Sequence, residues 1–205
     1  MNRKVLLFVA LPLTLSCVCV GLLTGLSVRA SNQRDTAGAT STAIAAQFLD
    51  PLKGICTGQA TAVAGAGAYN PGAGVHPVVV FRTTNATNYS RDLRVGTGDW
   101  SPATLDATQL VACTDESWTT VETCPYKSQT TGNTSYLDRS QHQVKLRLVA
   151  AKTGQVVGTE TLKGAEPRQC QEQETFASGT TRFSVTGEAV TPVAIQTWLK
   201  PHVAP

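Results

Sequence analysis

His142-Gln-Val-Lys-Leu-Arg-Leu-Val-Ala150, then Lys152-Thr-Gly154 and the run from Gln155 to Leu162, form the stretch whose reading decides the fold. His142, Val144, Leu146, Leu148 and Ala150 alternate with Gln143, Lys145 and Arg147, the period of a half-buried strand. Gly154 can take the positive φ that a three-residue hairpin loop requires, so Gln155 to Leu162 is expected to return as the partner strand. Working outward, Gln109 to Cys113 and Thr119 to Cys124 read as two arms of a second hairpin. His76-Pro77-Val-Val-Val-Phe81 is apolar without interruption and predicts a strand buried on both faces. Arg182 to Val185 predicts the last strand. Thr191 and Pro192 are an N-cap and first-turn proline for a short helix with Ile195, Trp198 and Leu199 on its apolar stripe, stopped by Pro201. A second short helix is expected from Ala43 to Leu49, ended by Pro51. The pattern predicts a mainly β domain, α+β at its margin: an antiparallel sheet or β-sandwich-like domain with a short C-terminal helix.

The opening residues set the compartment. Arg3 and Lys4 precede an uncharged apolar run from Val5 to Val28, and Val28-Arg-Ala30 has the small residues of a cleavage site before Ser31. As a helix the run would reach about 36 Å, enough for a hydrocarbon layer of about 30 Å. Residues 1–30 are therefore either a transmembrane anchor with a cytoplasmic N-terminus, held in the membrane through residues 5–28, or a signal peptide removed near Ala30. Residues 31–42 read as a flexible stalk and 43–205 as one exported β-rich domain. The expected location is extracytoplasmic, membrane-anchored or secreted. Three of the chain's 17 basic residues lie in the opening segment, so the remaining 14 balance the 14 acidic ones. A neutral domain with no Lys/Arg cluster speaks against nucleic acid as a partner.

Four cysteines follow the segment: Cys56, Cys113, Cys124 and Cys170. An even number in an oxidising compartment predicts two disulfides. The hairpin reading sets Cys113 opposite Cys124, leaving Cys56 to Cys170. A metal site is not expected, because no Cys-x-x-Cys pair exists and His76, His142 and His202 sit at no ligand spacing.

Few residue patterns in the chain point to chemistry. Neither a Gly-x-Ser-x-Gly elbow nor a Ser-x-x-Lys is present, and no catalytic residue or cofactor motif is assigned. Gly65-Ala-Gly67 and Gly72-Ala-Gly74 lie in a loop rather than before a helix, so no nucleotide cofactor is expected. Asp115, Glu116 and Glu122 form an acidic group around the expected hairpin, with Asp115 opposite Glu122. Such a pair could hold Ca²⁺ or act as acid and base, and it could equally mark a solvated turn. Trp118, Trp100 and Tyr126 lie in or beside expected loops, where amphipathic rings contact ligands or plug the ends of sheets.

Gly-Ala-Gly-Val-His-Pro-Val-Val-Val-Phe81, Gln-Leu-Val-Ala-Cys113, Glu-Thr-Cys-Pro-Tyr126 and Lys-Thr-Gly-Gln-Val-Val157, with Cys170 beyond, resemble a group of exported bacterial disulfide-bonded β-rich domains. The resemblance covers roughly residues 50 to 200. It implies an extracytoplasmic domain and brings no activity, ligand or catalytic residue. The expected function is a non-catalytic binding or interaction module of the cell envelope, with a protein or glycan partner outside the cell. An exported carboxylate-based hydrolase and a purely structural envelope protein are the alternatives.

Overall fold

The computed structural model describes residues 48–205 apart from Thr84 and Ala86. The apolar segment, the stalk and the first residues of the helix expected at 43–49 lie outside the described residues. Among the described residues no helix is long and apolar enough to cross a membrane.

The chain runs from helix α1 (residues 48–57) through β1 (Val78–Thr83), β2 (Ser90–Arg91), a 3-10 turn (Gly98–Trp100) and β3 (Leu110–Lys127). It continues through β4 (Thr134–Ala150), β5 (Val156–Lys163), β6 (Arg182–Thr186) and helix α2 (Pro192–Val203). One six-stranded sheet results, in the order β2-β1-β3-β4-β5, with β6 also on β4. It is mixed, not purely antiparallel and not a sandwich, because β1 runs parallel to β3 and β6 parallel to β4. Parallel pairs need crossovers: the chain passes from β1 to β3 by way of β2 and the 3-10 turn, and from β4 to β6 by way of β5 and residues 164–181.

The two faces of the sheet bury different helices. On one, Leu52, Ile55 and Cys56 of α1 pack against Val79, Phe81, Val111, Cys113 and Val149. On the other, Ile195, Leu199 and Val203 of α2 pack against Val78, Val80, Leu110, Ala112, Val144, Leu146 and Leu148. β1 is covered on both faces, which accounts for its unbroken apolar run. β4 follows the predicted alternation, with Val144, Leu146 and Leu148 toward α2. Gly154 takes φ 73°, and Thr191 caps α2 by accepting the Ala194 N–H at 3.2 Å. Two prolines do not break their helices. Pro51 lies in the first described turn of α1, where a missing N–H costs little, and Pro201 lies in the last turn of α2, which runs on to Val203.

The hairpin expected between Cys113 and Cys124 does not form. Leu110 to Lys127 is one continuous strand, and the turn comes afterwards, with Gly132 at φ 73°. The segment Thr114-Asp-Glu-Ser117 is polar but contains no Gly, Asn or Pro to reverse the chain. Running straight also removes the like-charge clash of the folded-back register. Asp115 lies opposite Lys145, and Glu122 lies opposite Arg139.

The cysteine pairing changes with it. The disulfides are Cys56–Cys113 and Cys124–Cys170, not Cys113–Cys124 and Cys56–Cys170. The β4 partners of Cys113 and Cys124 are Arg147 and Leu137, ten residues apart, so the two cysteines are separated by about 33 Å along the strand. A bulge between Thr120 and Glu122 restores the phase, and both cysteines face the α1 side.

Beyond β1, the far halves of β3 and β4 form an arm. Its α1-side face is covered by the chain after β5: the Arg139 guanidinium donates to the Pro167 and Arg168 carbonyls at 2.8 and 2.7 Å, and the Gln141 amide donates to the Gly164 carbonyl at 2.9 Å. Cys124–Cys170 fastens the same strap. The opposite face of the arm carries Trp118 and Tyr136, both exposed.

Candidate functional site

Trp118 is directly opposite His142 across β3 and β4, and Glu116, two residues earlier, shares its face. The indole is 48% exposed and its ring centre lies 4.8 Å from the imidazole, the planes inclined at 57°. Together with Ser117, these residues line a surface depression of about 310 Å³. His142 is only 5% exposed, and its Nδ1 accepts the backbone N–H of Val190 at 3.0 Å. That bond fixes the ring: an accepting Nδ1 leaves the hydrogen of the neutral imidazole on Nε2.

Glu116 faces two guanidinium groups, Arg82 at 3.8 Å and Arg94 at 3.9 Å. Arg94 in turn binds Asp92 through both oxygens, at 3.0 and 2.8 Å. Burial works to raise the Asp92 carboxyl, but the hydrogen bonds and charge of Arg94 outweigh it and hold the group below its ordinary value. The side chain of Gln196 on α2 donates to the Arg94 carbonyl at 3.1 Å, so the terminal helix also braces this loop.

The structure brings Trp118 and Glu116 together and keeps the other predicted residues apart from them. Trp100 is half-buried and packs against the α2-side core. Tyr126 and Glu122 line a separate groove of about 550 Å³ beside Cys124–Cys170. There the Tyr126 hydroxyl donates to the Gln171 carbonyl at 2.9 Å, and its ring stands 5.6 Å from Phe176. Asp115 accepts from the Tyr89 hydroxyl, and Glu122 from Arg139.

The three carboxylates are therefore not one acidic cluster. Asp115 and Glu122 sit opposite Lys145 and Arg139, some six residues apart on β4, about 20 Å at strand spacing. The paired carboxylates of glycosidases stand about 5–9.5 Å apart, so these two cannot share a bond or a cation. Glu122 does approach Cys124 and Cys170 within 4.8 Å, but both sulfurs are committed to a disulfide and offer no thiolate to a metal.

Sequence reasoning singled out Trp118 and Glu116 but treated them as parts of different features. It missed Arg82 and Arg94 altogether. Asp92-Leu-Arg94 carries the local signature of an i, i+2 pair, but nothing in the chain shows that its loop folds against β3. Comparison with protein-family models, with curated proteins and with solved structures finds no match to this chain.

Proposed function

We propose that this chain is a non-catalytic, extracytoplasmic binding module of the cell envelope, and that its contact surface is the sheet face around Trp118. The observation that carries the reading is a half-exposed indole, held against an imidazole whose orientation is fixed, on the arm face that neither helix covers. Exposed aromatic rings of this kind are the residues most often found at the energetic centre of binding surfaces. Two disulfides fit an oxidising compartment, which agrees with the export expected from the opening segment. That segment either holds the domain to the membrane through residues 5–28 or is removed near Ala30. Mass spectrometry of the native N-terminus distinguishes the two forms.

The test of the binding reading is capture of envelope components by the folded exported domain, compared with its Trp118→Ala variant. Retention by the wild type and loss of about tenfold or more in the variant is the expected result. Equal capture by both removes this surface from consideration. Turnover of an envelope polymer, lost in a Glu122→Gln variant, would replace the binding module with a hydrolase.

A further inference from the structure

We infer that the depression between Trp118, His142 and Glu116 is a subsite for one ring of a neutral saccharide. The inference rests on the binding reading above and names its ligand class.

The first support is the unused donor of His142. Nδ1 is taken by Val190, and Nε2–H has no hydrogen-bond partner among the described residues. The residue is 5% exposed, so the ring is held in place by its surroundings while this N–H keeps its bonding capacity. His142 lines the depression with its ring orientation fixed from the other nitrogen, and the proposal takes Nε2–H as the donor offered to a ligand there. The second support is Glu116, whose carboxylate has its neighbouring guanidiniums at 3.8 and 3.9 Å, beyond hydrogen-bond distance, and so keeps capacity to accept. One fixed donor and one acceptor beside an indole suit vicinal hydroxyls: one accepts from Nε2–H, the next donates to Glu116, and the C–H face of the ring lies on Trp118.

Charge narrows the class. Asp92, Arg94, Glu116 and Arg82 sum to zero, so the surroundings favour neither an anion nor a cation. A quaternary amine would gain the indole but would meet the two guanidiniums that flank Glu116. An anionic sugar would meet Glu116. A volume of about 310 Å³ lies at the low end of ligand sites, room for a single ring of a longer chain.

The experiment follows the indole Nε1–H resonances of the folded domain by NMR, that of Trp118 being identified by its loss in Trp118→Phe. The probes are neutral tetrasaccharides of glucose and of N-acetylglucosamine, with choline and an oligogalacturonate as charged competitors. A saturable shift of the Trp118 resonance with a neutral tetrasaccharide is expected, weakened about tenfold or more in Trp118→Ala. Weakening of several-fold is expected in Glu116→Gln, and also in His142→Asn, which keeps an acceptor for Val190 but loses the Nε2–H donor. Silence toward both tetrasaccharides, tighter binding of either charged probe, or indifference to Glu116→Gln and His142→Asn overturns the inference. If the saccharides are silent while Trp118→Ala still abolishes capture of an envelope protein, the saccharide class falls and the binding module stands. If neither responds to Trp118→Ala, both fall.

Discussion

Gly164 and Gly187 lie where two backbone segments cross, each with the other's segment in the space of its missing Cβ. A methyl group on Gly164 would collide with the Glu188 carbonyl oxygen, and one on Gly187 with that of Ala165. Their N–H groups bond to alternate carbonyls of β4, His142 at 2.8 Å and Ser140 at 3.1 Å. The crossing is thus the point where the free edge of β4 changes partner from β6 to β5. It also sets the path of the chain toward Val190, and so the orientation of His142.

Because the obstacle at both glycines is backbone, relaxation is expensive. Gly164→Ala and Gly187→Ala are each expected to lower stability by about 3 kcal/mol or more, while Gly72→Ala, which meets nothing within 4 Å, stays within about 0.5 kcal/mol. Urea unfolding curves for the three variants check this. Equal midpoints would mean that the two backbone segments can separate enough to admit a methyl group.

Peptide mapping without reduction is expected to link Cys56 to Cys113 and Cys124 to Cys170, and a Cys113–Cys124 peptide would contradict the straight β3. The sequence separations are 57 and 46 residues, so chain entropy assigns about 4 kcal/mol to each bridge. Burial separates them. Cys56 and Cys113 are 8% and 2% exposed inside the α1-side core, so replacing both by Ala also leaves a cavity. That double variant is expected to be the less stable of the two pairs in denaturant titration, with Cys170 the first sulfur alkylated under graded reduction.

Asp138 gives a pH signature. The Arg182 guanidinium donates to both its oxygens at 2.5 and 2.8 Å, and the Thr123 hydroxyl donates at 2.7 Å, holding the carboxyl at about 2 against an ordinary 3.8. A lowered value in the folded state means that the stabilisation is complete above the unfolded value and fades as pH falls from 3.8 toward 2. Asp138→Asn is therefore expected to be less stable than wild type near neutrality, with the gap closing over that acid window. Unfolding midpoints measured across the window decide it; a constant gap would mean that Arg182 does not favour the ionised form.

Tyr89 behaves in the opposite sense. Burial, and then its hydrogen bond to Asp115, push its hydroxyl well above the ordinary tyrosine range. Its stabilisation is whole below the unfolded value near 10 and is lost above it, as the unfolded chain ionises first. In a spectrophotometric titration the tyrosinate signal that Tyr89→Phe removes is expected only together with alkaline unfolding. Its appearance in the folded protein would show the hydroxyl to be open to solvent.

Local chemistry was legible in the chain. The alternation from His142 to Ala150, the left-handed glycine at 154 and the cap at Thr191 each act within a few residues, and each is realised where the pattern places it. Thr114 to Ser117 has the polarity of a turn without a glycine to take a positive φ, and the chain reverses instead where Gly132 takes one, at 73°. Of the site, the indole and carboxylate of Trp118 and Glu116 could be named individually. Their grouping with His142 depended on β3 running straight past β4.

By itself the sequence determined a β-rich domain with four cysteines for two bridges, balanced charge beyond residue 30 and a capped terminal helix. The tertiary structure alone decided which cysteines meet, that β1 lies parallel to β3, and that Arg82 and Arg94 flank Glu116. The division is physical. Turns, caps and alternation are set by steric preferences of neighbouring residues, whereas pairing across a sheet is set by burial over the whole chain, and one bulged residue at Val121 reverses every face that follows it.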